Sequence, residues 1–376
     1  MGYSSYKQKY KKRNIKMLEI LPKILKYKLA YSLGGHCPMP MNYTISLLYT
    51  CNSRCSTCNI YNKKAKNLTL SEYKEIFKHL GKSPYWITFS GGEPFLRTDI
   101  DEICQAVYKQ CRPAIINIPT NGILTELIVE KVQKITSSCP RTQFVINLSI
   151  DGIGEQHDKI RNVEGNYEKV LATYYGLKEL KAKNLSIGIH SVISTLNVAD
   201  FHSIASELIQ LKPDSYITEI AEERVELDTM GSDITPDMVS YKAAIDFLIH
   251  RIKNGKYKGI GKITEAFRIE YYQLVKLIMR DQKQVIPCYS GVTSAQISPD
   301  GDIWSCCIKA RSMGNLREND YNFRRIWNNH NAILERRSIK NMECWCPLAN
   351  AGYTNMLMNI PILMRVFIRS FIKWYN

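Results

Sequence analysis

Cys51, Cys55 and Cys58 form a CxxxCxxC run directly after an apolar, strand-like stretch, Tyr43–Thr50. A [4Fe–4S] cluster normally takes four thiolates. Three close-set ones wrap three corners of a cubane and leave the fourth iron open to a small molecule. Downstream, Trp86–Ser90 reads as a buried strand and ends in Gly91-Gly92-Glu93-Pro94. A glycine pair at the end of a strand lets the backbone approach a ligand closely and offers it N–H and C=O groups. One β-α unit separates this pair from the cysteine triplet, so the two are expected at one site.

A second group comprises Cys288, Cys306, Cys307, Cys344 and Cys346. Four thiolates suit a structural zinc ion as well as a cluster, and spacing alone does not separate them. Cys37, Cys104, Cys111 and Cys139 have no partner spacing and read as buried or incidental thiols. Cysteines gathered in metal-ligand patterns favour a reduced compartment over a disulfide framework.

The elements that must position these residues alternate. Strands are expected at Tyr43–Thr50, Trp86–Ser90, Ile115–Thr120, Phe144–Ile150, Leu185–Ile193 and Ser215–Glu219, with helices at Leu70–Leu80, Ile100–Gln110, Leu124–Ile135, Tyr167–Lys181 and Asp200–Leu211. Six β-α units in series imply a parallel sheet with right-handed crossovers, and chemistry at the carboxyl ends of the strands. Cys51, Gly91, Asn121, Asp151 and Asn197 each follow one of these strands. Beyond them, 236–254 and 262–281 read as helices. A hairpin turning at Pro299-Asp300-Gly301-Asp302 follows.

On the triplet, the Gly91–Pro94 motif, and Ser149-Ile150-Asp151-Gly152 followed by His157, Asp158 and Arg161, the chain resembles the radical S-adenosylmethionine (SAM) enzymes over roughly residues 40–350. The resemblance implies an α/β fold, a partial (β/α)6 barrel. It also implies an open iron that chelates the amino and carboxylate groups of SAM. Reductive cleavage would then give a 5′-deoxyadenosyl radical that abstracts hydrogen from a substrate C–H bond. Carried over by position, Gly91 and Gly92 would present backbone groups to the SAM amine with Glu93 nearby. Asn121 would line the pocket, Ser149 and Asp151 would end the ribose strand, and Arg161 would grip the SAM carboxylate. The family usually has an aromatic residue before the third cysteine. Here it is Thr57, and Tyr61 is the candidate replacement ring. His190 and Asn197 are candidate adenine or substrate contacts, and Tyr216, Glu219 and Glu222 candidate substrate contacts.

Cys288, then Gly301 and Cys306, also follow the opening of the SPASM and twitch extensions, which hold auxiliary [4Fe–4S] clusters. A single auxiliary cluster on Cys288, Cys306, Cys344 and Cys346 is implied, with Cys307 as the alternative ligand. The chain thus divides into a basic amphipathic segment (1–40), a barrel core (41–225), a helical connection (226–285), a cluster domain (286–350) and a basic amphipathic helix (351–376). The resemblance further implies a flavodoxin- or ferredoxin-like electron donor.

Charge bounds the partners. The net charge is +16, and residues 1–28 carry nine lysines and arginines against Glu19 alone. No acid follows Glu343, while Arg365, Arg369 and Lys373 recur every fourth residue. Such ends attract anionic surfaces. Ile15–Leu33 and Met364–Tyr375 read as amphipathic helices that either pack on the barrel or lie in a membrane interface. No apolar run is long enough to span a bilayer and no signal core is evident, so a cytoplasmic location is expected, with peripheral contact at the inner membrane surface as the alternative. RNA-binding signatures are absent, which makes nucleic acid an unlikely partner. Peptide or small-metabolite modification leads, lipid or lipid-linked sugar modification is second, and a non-catalytic iron–sulfur scaffold or redox carrier is the alternative of another class.

Overall fold

The computed structural model describes residues 17–371. After helix α1 (Met17–Leu33), the barrel units run β1 (Asn42–Ser46), α2 (Leu70–Leu80), β2 (Trp86–Ser90), α3 (Ile100–Gln110), β3 (Ile115–Thr120) and α4 (Thr125–Ser138). They continue with β4 (Gln143–Ser149), α5 (Glu155–Arg161), α6 (Asn166–Lys178), β5 (Leu185–Ile193), α7 (Phe201–Gln210) and β6 (Ser215–Ile220). Strands β1 to β6 lie side by side in sequence order, all parallel. This is the partial barrel that six consecutive β-α units dictate.

Period-two alternation sorts each strand's side chains. In β4, Phe144, Ile146 and Leu148 are buried among the apolar core, while Gln143, Asn147 and Ser149 share the opposite, inner face. That inner face is polar. Asn147 Nδ2 donates to Asn117 Oδ1 at 2.8 Å, and Gly188 of β5 leaves the room, since a Cβ there would meet Asn147 Oδ1 at 2.1 Å.

Helices α8 (Met238–Asn254) and α9 (Ile260–Asp281) then lead to β7 (Ser294–Ile297), β8 (Asp302–Trp304) and β9 (Ser312–Asn315). These three strands extend the barrel sheet. β7 pairs parallel with the free side of β1, and β8 and β9 follow antiparallel, giving the order β6-β5-β4-β3-β2-β1-β7-β8-β9. Helices α10 (Phe323–Trp327), α11 (His330–Lys340), α12 (Ala349–Leu357) and α13 (Ile360–Phe371) complete the described chain.

The cysteine-rich region shares the barrel's core. Tyr289, Ile297, Ile303 and Trp327 belong to the same apolar cluster as Tyr43, Phe77 and Ile118, and the Tyr43 and Phe323 rings meet edge-on at 5.4 Å. Arg317 Nε adds an ion pair across the seam to Glu72 Oε1 of α2 at 2.6 Å. A second apolar cluster lies around α8, α9, α12 and α13.

The sequence expectations fall close to these elements, with physical reasons for the departures. The first strand ends at Ser46, and residues 47–50 run on as non-strand backbone that bonds to the glycine motif. A single helix expected from Tyr167 proves to be preceded by α5, a two-turn helix whose Asp158 carboxylate accepts from the N–H groups of Gly165 and Tyr167 and so sets the start of α6. Lys373 and the other residues after Phe371, like residues 1–16, lie outside the described residues.

Candidate functional site

The loop 51–58 leaves the carboxyl end of the β1 segment with Cys55 buried and Cys51 and Cys58 half-buried. It is tied on several sides. Arg54 N–H and Ser56 N–H donate to the carbonyls of Arg161 and Ile160 at 3.2 and 2.9 Å, and Asn59 N–H donates to Leu227 O at 2.9 Å. Asn121, at the end of β3, donates through Nδ2 to Asn52 Oδ1 at 2.7 Å and Ser53 Oγ at 3.0 Å, with Cys51 Sγ at 4.0 Å.

The glycine motif packs backbone to backbone on the approach to this loop. Gly92 N–H donates to Leu48 O at 2.7 Å and Glu93 N–H to Thr50 O at 3.0 Å. A Cβ on Gly91 would sit 2.2 Å from Leu48 O, and one on Gly92 2.1 Å from Thr50 O, contacts no side chain tolerates. Gly91 also has φ +122, in the region that favours glycine. Both glycines are therefore required by the chain's own close approach as well as by any ligand.

Glu93 is buried with both carboxylate oxygens engaged. Oε1 accepts from Phe95 N–H at 3.1 Å and Thr120 Oγ1 at 2.9 Å, and Oε2 accepts from Asn121 N–H at 2.8 Å. Burial pushes its carboxyl up to about 7 against these hydrogen bonds. Its visible role is to join the end of β2 to the end of β3 and so to orient Asn121.

The resemblance gives Arg161 the SAM carboxylate as its partner. In the structure its Nη2 pairs with buried Asp151 Oδ2 at 2.6 Å, and its Nη1 lies 3.7 Å from Cys55 Sγ. The guanidinium therefore sits beside the thiol, where its charge would favour a thiolate. Its buried Nε has no hydrogen-bond partner among the described residues. Asp151 is fixed in turn by Val192 N–H at 2.7 Å and, through its own N–H, by His157 Nδ1 at 3.2 Å. Asn197 Nδ2 donates to the Asp151 carbonyl at 2.8 Å. Asn197 thus braces a strand end. Ser149 pairs in register with His190 on the inner face. The Tyr61 ring, expected to replace the missing aromatic, is covered by the Arg54 guanidinium at 4.5 Å.

These residues fit a three-thiolate cluster with SAM. The loop supplies three thiols and no histidine or carboxylate between them. A cation stands beside Cys55, and an unpartnered guanidine nitrogen is buried at the same place. Burial raises the thiols of Cys51 and Cys58, the latter to about 12. Binding to iron would offset that cost, since the thiolate is the ligand form. Among the described residues no three His, Cys, Asp or Glu side chains converge at single-ion distance. A cubane holds its thiolates on separate corners.

The second cysteine set gathers from three stretches of chain. Cys346 feels the charges of Cys288 and Cys306, and Cys344 and Cys306 each feel that of Cys288. Cys307 behaves differently. It is buried with Leu348 and Ala351, and its largest charge neighbours are Arg224 and Glu226. Cys306 and Cys346 pack against the same small cluster, so Cys307 adjoins the set.

A polar cluster, which the sequence points to only in part, forms at the end of β6 and in the segment after it. Glu219 Oε1 lies 3.6 Å from His190 Nε2, and Arg224 Nη2 lies 3.6 Å from Glu219 Oε2 and 3.1 Å from Glu222 Oε1. Glu226 Oε1 accepts from Ser46 Oγ at 3.0 Å and from Gln296 Nε2. Burial lifts the Glu222 carboxyl to about 7, and its charge is felt at Cys346. His190 Nε2 and Arg224 Nε are buried without a hydrogen-bond partner among the described residues. Tyr216, by contrast, faces the other side of β6, where its hydroxyl donates to Ser191 Oγ at 3.1 Å. The missed residues Arg224, Glu226 and Gln296 did leave a signal. Glu222-Glu223-Arg224-Val225-Glu226 is a mixed charge run directly after a strand, at the end where chemistry was expected.

Comparison with known proteins agrees with this geometry. Residues 45–208 match the radical SAM superfamily and residues 288–347 an iron–sulfur cluster-binding domain, SPASM. The antilisterial bacteriocin subtilosin biosynthesis protein AlbA of Bacillus subtilis is 21% identical over 326 residues, 82% of this chain and 64% of AlbA, so the chain spans less than two thirds of that relative. Fe-coproporphyrin III synthase of Methanosarcina barkeri is 25% identical over 302 residues, 74% of this chain and 71% of that one. In fold, the chain is similar to Streptococcus suis SuiB bound to its precursor peptide SuiA, with a TM-score of 0.60, 16% identity and coverage of 88% and 75%. The chain belongs to the radical SAM superfamily and carries, after its partial barrel, a SPASM iron–sulfur cluster-binding domain.

Proposed function

We propose that this chain reductively cleaves SAM at the Cys51/Cys55/Cys58 loop and abstracts hydrogen from a C–H bond of a peptide that docks at the polar cluster after β6. The cluster carries the reading. Its His190 Nε2 and Arg224 Nε are buried without a hydrogen-bond partner among the described residues, and a peptide's backbone groups would supply partners. The relationship to AlbA, a bacteriocin biosynthesis protein, supports the same substrate class.

When bound, the cluster and SAM supply one-electron reduction of the sulfonium and hydrogen abstraction by the adenosyl carbon. The chain's own residues do the rest. Cys51, Cys55 and Cys58 hold the cluster, Asn121 and Glu93 fix the loop, and Arg161 offsets thiolate charge at Cys55. Gly91 and Gly92 keep the SAM edge free of side chains, and Ser149 and Asp151 bound it on the β4 side. Cys288, Cys306, Cys344 and Cys346 hold one auxiliary [4Fe–4S] cluster, leaving Cys307 as a fifth, buried thiol. Arg224 and His190 orient substrate. Electrons come from a flavodoxin- or ferredoxin-like donor.

A carboxylate-bearing metabolite is the second reading, favoured by the cationic Arg224 and the relationship to Fe-coproporphyrin III synthase. Anaerobically reconstituted protein given SAM and dithionite should release 5′-deoxyadenosine, and Cys55→Ala should abolish it. Retained release in that variant would refute the assignment. Short peptides encoded beside the gene should then lose hydrogen by mass. If only a carboxylate metabolite is consumed, the second reading replaces the first.

A further inference from the structure

The described C-terminal helix spends its basic residues on the protein itself. Arg365 Nε and Arg369 Nε pair with the two oxygens of buried Glu270 on α9, at 2.8 and 2.9 Å. Ile362, Val366 and Ser370 are buried beneath α13. Its apolar residues Ile360, Met364, Phe367, Ile368 and Phe371 are left exposed, and the Phe367 and Phe371 rings lie against each other at 4.7 Å.

Helix α1 repeats the arrangement. Ile24, Tyr27 and Ala30 are buried, and Tyr27 Oη donates to Met39 O at 2.8 Å. Leu25, Leu29 and Leu33, one row at four-residue spacing, are exposed, Leu33 by 75%. The two helices come near each other where Lys28 Nζ, midway along the α1 row, reaches the Met358 carbonyl at 3.4 Å, two residues before Ile360. Among the described residues, eight of the seventeen exposed large apolar side chains belong to these two helices. The other nine are spread over the rest of the chain, as an ordinary surface allows.

Charge identifies the occupant. Lys26 is exposed beside the α1 row, and Lys23 is exposed nearer the barrel, over the Tyr85 ring at 5.7 Å. They belong to the segment that carries nine basic residues against one acid. A second copy of this face would bring like charges together, whereas an anionic bilayer complements them and accepts both apolar rows at once. No helix among the described residues is long and apolar enough to cross a membrane. We propose that α1 and α13 dock the protein peripherally on an anionic lipid surface. Leu25, Leu29, Leu33, Phe367, Ile368 and Phe371 enter the acyl boundary, and Lys26 lies among the headgroup phosphates. The inference does not depend on what the polar cluster after β6 accepts.

Flotation of the full, anaerobically reconstituted chain with vesicles tests it. Binding should occur to phosphatidylcholine vesicles holding roughly one third phosphatidylglycerol, weaken with added salt, and be slight on phosphatidylcholine alone. Leu25→Ser with Leu29→Ser, and separately Phe367→Ser with Phe371→Ser, should each lower the bound fraction about tenfold or more. Release of 5′-deoxyadenosine from SAM should be unchanged in both, which separates lost docking from lost folding. No flotation, equal flotation on both lipids, or variants that float like the parent would overturn the proposal. So would light scattering that shows a dimer dissociated by the same substitutions.

Discussion

The two cysteine regions are built in opposite ways. The first places three thiols on one eight-residue loop that the barrel braces through Asn121, Glu93, the Arg161 backbone and the glycine motif. The second draws thiols from stretches as far apart as Cys288 and Cys346, on loops outside any strand or helix. The first site is therefore preorganised by protein contacts. The second must take much of its order from the metal it holds, because binding energy at an unformed site is folding energy.

The largest test of this contrast is Gly92→Ala. With backbone 2.1 Å from the new Cβ, the cysteine loop must shift, and a displacement of that order costs about 100-fold in rate. Release of 5′-deoxyadenosine at near wild-type rate would mean that the loop is not held as described. Asp151→Asn comes next. It leaves the Arg161 guanidinium buried without its counter-ion, and breaking such a pair costs about 3–5 kcal/mol. Urea unfolding should show it as a fall in midpoint.

In the second region, chelating the metal should speed amide exchange around residues 341–348 far more than around 51–58. Cys346→Ala should remove one cluster's share of iron, while Cys307→Ala should leave the iron count unchanged. Iron loss on Cys307→Ala would place that thiol in the ligand set. The smallest effect is at the seam. The Arg317 guanidinium holds the Glu72 carboxyl down at about 2, below its usual 4.5. A lowered value means the stabilisation is complete above the usual carboxylate range and disappears as pH falls toward 2. Glu72→Gln should lower the melting temperature at neutral pH by an amount matching about 1 kcal/mol or less, and should flatten its decline in acid.

Much of the site was legible because it is local in sequence. CxxxCxxC and Gly-Gly-Glu-Pro declare themselves, and the six strand ends follow from β-α alternation. What stayed hidden depends on tertiary neighbours. Arg161 read as a partner for the SAM carboxylate, and nothing in the sequence shows that it also pairs with Asp151. Tyr216 and Glu219 both looked like substrate contacts, yet they are three residues apart on a strand and so face opposite sides. The cationic stripe of α13 left packing and membrane contact equally open, because Arg365 pairs with Glu270, 95 residues earlier. The twitch-like cysteine spacing fitted either zinc or a cluster, and the match of residues 288–347 to an iron–sulfur cluster-binding domain favours the cluster.

Because β7 continues the sheet from β1, no hinge stands between the barrel and the part that carries the later cysteines. The distance separating the two redox centres is thus set by strand pairing, as fixed as the span between beams bolted to one joist. Relatives that accept bulkier cargo on this frame would be expected to remodel the connection after β6, residues 221–237, since prising the halves apart would tear hydrogen bonds from the middle of the sheet.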